Sequence, residues 1–221
     1  MGDGRVARIA FTDRDDGDLL ITGDPDALAA RRAALVDRPW TWLRQVHGGR
    51  VVVVDRPGDE AGEAADAAVT TATGAVLAVH TADCGPIALV AEGGGVAVAH
   101  AGWKGLEAGV VEATLAELRE RAGGEVRAYV GPLIGPECYE FGREDLDRLV
   151  DRLGPEVEGR TASDSPALDL GRGIREVLAR EGVAEITVAG DCTACRGDAL
   201  WSHRARRDTA RQAVLAWIEA A

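Results

Sequence analysis

The sequence has few of the features that membrane and nucleic-acid-binding proteins require. No run of about 18 consecutive apolar residues occurs in the 221-residue chain, so we expect no membrane-spanning helix. The formal net charge of −12 disfavours electrostatic binding to nucleic acid or to anionic lipid. We therefore expect neither a nucleic-acid nor a membrane partner, and any anionic substrate must meet a local group of basic side chains.

The first residues also lack a basic segment followed by an apolar one, so we expect no signal peptide and a cytoplasmic protein. Cysteines are few as well, four in all. In the cytoplasm they are expected to be reduced, which favours free thiols or metal ligands over disulfides.

Short apolar runs between glycines alternate with amphipathic segments, a pattern typical of an α/β fold. The length suits one domain, and we predict a single domain over residues 1–221 with a mixed sheet flanked by helices. The predicted strands include Arg5–Phe11, Val51–Asp55 and "AEITVAG"; the predicted helices begin at Asp24-Pro25 or span Leu106–Arg121, Arg143–Leu153, Leu168–Glu181 and Arg206–Ala220.

Three histidine and cysteine side chains border the predicted strands. Cys84 lies between the runs "VLAVHTAD" and "PIALVA", His100 ends the run "GVAVA", and His47 precedes "VVVV". A polar side chain at a strand end can face a cleft, although each of the three could equally be a core or surface residue. Together they could hold zinc with one open position, or Cys84 could act as a nucleophile with His100 as its base.

Two polar residues close to Cys84 are further candidates for catalysis. His80 and Asp83 lie in "VHTADC", where a purely structural core would not need them. They could orient the metal ligands or carry protons during a reaction.

Basic residues near these motifs are candidates for holding an anionic substrate such as phosphate. They are Arg44, Lys104, Arg204 and Arg206. Lys104 follows "HAGW" at the start of a predicted helix, where backbone N–H groups also attract anions.

The pair Cys192 and Cys195 forms a CxxC motif near the end of the chain. Such a pair suggests either redox chemistry or half of a structural zinc site. No second CxxC completes a four-cysteine site, and the position does not match a thioredoxin motif. Cys138, in "GPECYEFG", could line a pocket or pack.

Taken together, five motifs resemble those of the YfiH-like proteins, also called laccase-domain proteins, multicopper polyphenol oxidases or purine nucleoside phosphorylases. In order they are "QVHGGRVVVVD", "TADCGPIAL", "AHAGWKG", "GPLIGPECYEFG" and "CTACRGDALWSHRARRD", so the resemblance covers most of the chain. It implies an α/β fold of the YfiH type, related to Cys-His hydrolase-like folds.

The resemblance also implies the site and the activity. The histidine of "QVHG", the cysteine of "ADC" and the histidine of "HAGW" are the family's metal ligands, here His47, Cys84 and His100. The implied activity is zinc-dependent phosphorolysis of adenosine, inosine and methylthioadenosine, with deamination of adenosine. The expected partners are therefore a nucleoside and phosphate, and we expect a monomer or a homodimer.

Alternatives to this activity stay open. Copper could occupy the same ligands, but laccase chemistry needs several copper sites, and four histidines cannot supply them. A metal-free Cys/His hydrolase would use the same residues. The segment before residue 36 lacks the family's "GGVS" and "NLG" stretches and has Arg31-Arg32 for its Asn-Arg pair. A catalytically weak metal-binding member is therefore a further possibility.

Overall fold

A computed structural model describes residues 4–221. In chain order its helices and strands are β1 (Arg5–Phe11), α1 (Pro25–Leu35), β2 (Trp40–Trp42), β3 (Val51–Val54), β4 (Ala67–Thr70), β5 (Val76–Thr81), β6 (Gly85–Ala91), β7 (Gly95–Ala101), α2 (Trp103–Glu107), α3 (Val110–Ala122), β8 (Val126–Val130), α4 (Arg143–Leu153), β9 (Glu158–Arg160), β10 (Pro166–Leu168), α5 (Leu170–Arg180), β11 (Glu185–Val188), α6 (His203–Arg206) and β12 (Gln212–Ala220). Short 3-10 helices occupy Pro136–Cys138 and Pro155–Val157.

Two mixed sheets form the centre of the protein. The first has the order β1-β12-β5-β2, and only β2 and β5 pair in parallel. The second has the order β11-β8-β6-β7-β4-β3, with parallel pairs at its two edges and antiparallel pairs in its middle. A two-stranded ribbon of β9 and β10 lies apart from both.

Alternating side chains place the two sheets face to face between layers of helix. Along β12, Val214 and Ala216 join the apolar cluster between the sheets, whereas Ala213 and Leu215 join the cluster that contains Leu28 of α1. The second sheet alternates in the same way and packs its other face against α2 to α5. Both sheets are thus covered on both faces, which explains the long apolar runs in their strands.

Several sequence-based expectations are confirmed. The strand Arg5–Phe11 and the helix Arg143–Leu153 occur with the predicted bounds. The first helix begins as predicted, because the carboxylate of Asp24 accepts a hydrogen bond of 2.8 Å from the N–H of Ala27 and Pro25 occupies the first turn. The α/β class with mixed sheets flanked by helices is likewise confirmed.

The predicted terminal helix Arg206–Ala220 is wrong. Only a short helix ends there, at Arg206, and Gln212–Ala220 is a strand hydrogen-bonded between β1 and β5. Because this strand is buried on both faces, its apolar run lacks the alternation that identifies a half-exposed strand. Tertiary packing therefore overrides the helical preference of its Ala and Leu residues.

Two other helices differ from prediction. The expected continuous helix Leu106–Arg121 is divided into α2 and α3 by Gly109, whose φ of 79° cannot continue an α-helix. The helix expected at Leu168 begins at Leu170, where Asp169 caps it by accepting from the N–H of Arg172. No helix within the described residues has the length and apolar character needed to cross a bilayer.

Candidate metal centre and its cleft

His47, Cys84 and His100 converge from three separate parts of the fold. His47 lies in the loop between β2 and β3, Cys84 between β5 and β6, and His100 near the end of β7. Their ligand atoms all lie within 4.8 Å of one another. Cys84 Sγ is 3.9 Å from His47 Nε2, and the two imidazole rings meet edge to face with centroids 4.7 Å apart.

A buried carboxylate, Asp66, holds two of these residues in place. It lies immediately before β4 and is fully buried. One carboxylate oxygen accepts from His100 Nδ1 at 2.9 Å and from the N–H of His47 at 2.9 Å. The other accepts from the N–H groups of Val46 and Gly48, at 3.2 and 2.8 Å. Because Asp66 accepts at Nδ1 of His100, the Nε2 lone pair of that ring is left for a metal ion.

The loop that carries His47 holds this residue in an unusual backbone conformation. His47 has a φ of 58°, the left-handed region that few non-glycine residues occupy. The hydrogen bonds to Asp66 stabilise this conformation. The side chain of Gln45 continues the sheet, because its amide donates to the carbonyl of His80 at 2.7 Å and accepts from its N–H at 2.8 Å.

The charges of the centre favour ionisation of the Cys84 thiol. Burial acts against ionisation of Cys84, but the neighbouring His100 and His47 lower the pKa of the thiol to about 6. Burial likewise opposes the charge on His100, and the thiolate together with Asp66 raises its pKa to about 9. A thiolate therefore prevails at neutral pH, and the thiolate is the form that binds metals.

The donor set fits a single zinc ion. Zinc prefers thiolate and imidazole ligands, and three such ligands leave one tetrahedral position open. The Cys84 thiol can be deprotonated and the two imidazoles can be neutral. Asp66 orients one of the imidazoles, that of His100, through the hydrogen bond at Nδ1. The residues present are therefore compatible with the metal that the motifs imply.

The centre forms one wall of a cleft with a volume of about 460 Å³. This volume is in the range of sites that hold small organic molecules. The other lining residues come from the N-terminal segment, from the loop before His47, from β5 and from the region of α6: Leu20, Ile21, Leu43, Arg44, Gln45, His80, Thr81, Ala82, Asp83, Tyr139, His203, Arg204 and Arg211.

Comparison with known proteins identifies the family. The family model described as multi-copper polyphenol oxidoreductase laccase matches residues 15–219. The chain belongs to this family. It is 36% identical, over 96% of both chains, to a purine nucleoside phosphorylase of Streptomyces coelicolor. It is 38% identical to a purine nucleoside phosphorylase of Mycobacterium bovis, over 89% of this chain and 81% of that protein.

Solved structures of the family share the fold. A Neisseria meningitidis protein, NMB0706, superposes with a TM-score of 0.81 at 28% identity and covers 98% of this chain and 95% of its own. A YfiH protein of Bacillus licheniformis superposes with a TM-score of 0.83 at 23% identity, over 96% of this chain and 92% of its own. The motif resemblance to YfiH-like proteins is thereby confirmed.

The structure gives the two polar residues close to Cys84, His80 and Asp83, different surroundings. Both ring nitrogens of His80 are buried without a hydrogen-bond partner, and the residue lines the cleft. Burial, with the charges of Arg32, His100 and Arg211, lowers its pKa to about 3, so the imidazole is neutral. It is thus able to donate one hydrogen bond and accept another from a molecule in the cleft.

Asp83 is engaged with its own protein. Its carboxylate accepts from the hydroxyl of Thr193 at 2.7 Å and from the N–H of Arg204 at 2.6 Å. It also adopts a left-handed conformation with a φ of 103°. These bonds connect Asp83 to Thr193 and to the start of α6 and not to a ligand of the candidate metal centre, so its expected role in orienting ligands or carrying protons stays a prediction.

Two of the predicted basic residues reach the cleft and two do not. Arg44 and Arg204 line it. The guanidinium of Arg204 lies 4.6 Å above the ring of Tyr139 and donates to the carbonyl of Glu140. Lys104 is exposed and lies against the Trp103 ring at 5.3 Å, outside the cleft lining. Arg206 instead donates to the carbonyls of Thr193, Ala194 and Leu200.

Sequence reasoning missed Asp66, Gln45, Tyr139, His203 and Arg211. Asp66 was detectable in principle, as an isolated carboxylate at the start of an apolar strand, "DAAVT". The other four carry no local signal, because only the fold brings their segments to the cleft. The shortened N-terminal segment still contributes to the wall through Leu20 and Ile21.

Proposed function

We propose that the chain is a zinc-dependent purine nucleoside phosphorylase that also deaminates adenosine, with adenosine, inosine and methylthioadenosine as substrates. The observation that carries the proposal is the convergence of His47, Cys84 and His100 at the wall of a cleft sized for a small molecule. The names of the relatives support the phosphorylase activity. The deaminase activity and the metal follow from the family resemblance and from the donor set.

Zinc, when held by these three residues, supplies a Lewis acid that polarises an oxygen of the reactants. The protein's own part is to orient and to neutralise charge. Asp66 holds the ring of His100 so that Nε2 faces the cluster. In the cleft, the neutral imidazole of His80 hydrogen-bonds to the uncharged nucleoside, because it can act as donor and acceptor at once.

Phosphate binding belongs to the arginines in the cleft lining. Arg44, Arg204 and Arg211 supply positive charge in a protein whose surface is otherwise acidic. The stacking of Arg204 on Tyr139 restricts its guanidinium before a substrate arrives, which reduces the entropy lost on binding. Burial raises the pKa of Tyr139 to about 12, so its hydroxyl remains a donor.

Both overall reactions are balanced. In phosphorolysis, an oxygen of phosphate bonds to the ribose carbon as the bond to the purine breaks, which gives the free base and ribose 1-phosphate. In deamination, water adds to the purine ring and ammonia leaves, which converts adenosine to inosine. Both reactions place their polar groups beside the same cluster and need only one cleft.

Product analysis tests this proposal. The zinc-loaded protein is incubated with adenosine and phosphate, and adenine, ribose 1-phosphate and inosine are separated by chromatography. We expect adenine to require phosphate, inosine to form without it, and both to be lost in Cys84→Ser. Unchanged turnover and unchanged zinc content in Cys84→Ser would contradict the metal centre.

A metal-free hydrolase is the second candidate, favoured by the thiolate and imidazolium that Cys84 and His100 form next to each other. The two candidates respond differently to a chelator. Loss of nucleoside turnover after metal removal, and its return with zinc, supports the first. Turnover that persists without metal but stops when Cys84 is alkylated supports the second.

A further inference from the structure

We propose that the chain has a second zinc site, formed by Glu137, Cys138, Cys192 and Cys195, which fastens the segment 189–202 to the body of the protein. Their four donor atoms lie within 4.8 Å of one another. They come from two regions more than fifty residues apart, the 3-10 helix after β8 and the turn after β11. None of these residues belongs to the cleft cluster, so the inference does not depend on the proposed function.

The spacing of the donors matches a tetrahedral zinc ion. With Zn–S bonds of about 2.3 Å, two thiolates of one tetrahedron are about 3.8 Å apart, and a thiolate and a carboxylate oxygen slightly less. Cys138 Sγ and Cys195 Sγ are 3.5 Å apart. Cys195 Sγ is also 3.5 Å from Glu137 Oε1.

The backbone around Cys192 supports a thiolate there. The N–H of Gly135 donates to Cys192 Sγ at 3.1 Å, the kind of bond that stabilises a metal-bound sulfur. Cys192 also forms a parallel β-bridge with Leu133, which brings the second half of the cluster against the first. The hydrogen bond and the bridge therefore fix the position of the Cys192 sulfur.

The composition of the cluster indicates zinc over other divalent cations. Three sulfur ligands exclude a magnesium or calcium site, since those ions take oxygen ligands. A redox disulfide would use two of the cysteines and would leave the third thiol and the carboxylate without a purpose. Four protein ligands and no open position are typical of a structural zinc site.

The segment that the ion would fasten has little regular structure of its own. Between β11 and α6 it is mostly turns. It nevertheless positions the catalytic cleft, because Thr193 bonds to Asp83 and Arg204 follows at the start of α6. Tyr139, adjacent to Cys138, lies in the same wall. A metal ion here would hold both sides of this wall together.

Metal content per chain tests the proposal. The full-length wild-type protein, Cys138→Ser/Cys195→Ser and Cys84→Ser are saturated with zinc under reducing conditions, freed of excess metal and measured by mass spectrometry. If both sites are occupied, we expect about two zinc ions in wild type, about one in the double variant and about one in Cys84→Ser. If the cleft binds no metal, the expected counts become about one, none and about one, so the two proposals can fail separately.

Cobalt substitution gives a second readout. The thiolate-to-cobalt absorption of three sulfur ligands should persist in Cys84→Ser and should disappear, apart from that of a single thiolate, in the double variant. Cys195→Ser is measured beside the double variant because it changes one exposed side chain and keeps the other three donors. Circular dichroism of each variant tests whether it is folded.

Two results would overturn the second site. One is a folded Cys138→Ser/Cys195→Ser protein that retains the zinc content of wild type, or a Cys195→Ser protein whose cobalt absorption equals that of wild type. The other is a thiol titration of the denatured, unreduced protein that finds fewer than the four thiols of the sequence, with Cys138 joined to Cys195 by mass spectrometry. A zinc content that falls by about one ion in the double variant, with four free thiols in wild type after metal removal, would establish it.

Discussion

At the scale of single residues, the candidate metal centre depends on a carboxylate that does not line the cleft. Asp66 accepts hydrogen bonds from His100 and from three consecutive backbone N–H groups of the loop that carries His47. Burial would raise its pKa, but the bonds from His100 and from this loop hold the pKa below its usual range. The residue thus remains ionised and sets the positions of two metal ligands at once.

We expect Asp66→Asn to weaken zinc binding at the centre by about 10- to 100-fold, the usual effect of removing a carboxylate behind a metal-bound histidine. The amide also directs a donor at groups that are themselves donors, so a loss of stability of about 1–3 kcal/mol should accompany it. Chelator competition and urea unfolding measure the two effects.

Asp147→Asn is the matched control for Asp66→Asn, since Asp147 pairs with Arg143 on an exposed helix face, its one ion pair among residues 4–221. It should leave both quantities unchanged within error. Wild-type zinc affinity in Asp66→Asn would show that His100 is oriented without this carboxylate.

Sequence patterns singled out the three candidate metal ligands but not the residues that support them. His47, Cys84 and His100 stand next to strand boundaries that are visible in the sequence, and the resemblance to the YfiH-like proteins grouped them as one ligand set. Asp66 and Gln45 act through contacts across the fold, and no local spacing relates them to their partners. Lys104 shows the converse error, since a basic residue at a helix start need not face the cleft.

At the scale of elements, a helix that is exposed on one face could be predicted from the sequence, whereas a strand that is buried on both faces could not. The amphipathic helix α4 is exposed on one face, so its polar and apolar residues alternate with a helical period and its bounds could be predicted. Strand β12 is buried on both faces and has no such contrast. Its environment between β1 and β5 is a property of the whole sheet, which local residues do not encode.

The junction between β7 and α2 controls the space around the metal ligands. Gly102, the first residue after β7, caps α2 with ordinary extended angles, φ −77° and ψ 168°. A Cβ at this position would lie 3.0 Å from both Cys84 Sγ and His47 Cδ2. Space, and not backbone conformation, therefore favours glycine at this position.

Gly102→Ala should therefore displace Cys84 or His47 and should lower zinc affinity at the centre, while overpacking destabilises the fold by about 1–3 kcal/mol. Gly142→Ala serves as the control, because Gly142 also caps a helix at a negative φ and a Cβ there meets nothing within 4 Å. Zinc affinity by chelator competition and thermal unfolding compare the two variants. Equal behaviour of both would show that the space beside the ligands is not limiting.

At the scale of the whole molecule, the free energy of unfolding should depend on pH because His80 is buried beside the cleft. His80 has a pKa of about 3 in the folded protein, because burial disfavours its charged form and Arg32, His100 and Arg211 add to the effect. In the unfolded chain its pKa returns to about 6.5. Between these values only the unfolded chain binds the proton, so the stability present above pH 6.5 is lost as the pH falls towards 3.

The His80 contribution amounts to about 1.4 kcal/mol for each pH unit below 6.5. Other groups titrate in the same range, and the relevant quantity is therefore the difference in unfolding free energy between wild type and His80→Gln, measured in urea from pH 7 to pH 5. We expect the acid-dependent loss to be smaller in His80→Gln by about this slope, because glutamine binds no proton in either state. His203→Gln, which removes an exposed histidine from the same cleft, should retain the wild-type slope. Parallel curves for wild type and His80→Gln would mean that the pKa of His80 is the same in the folded and unfolded protein, and burial would then not hold the imidazole in its neutral form.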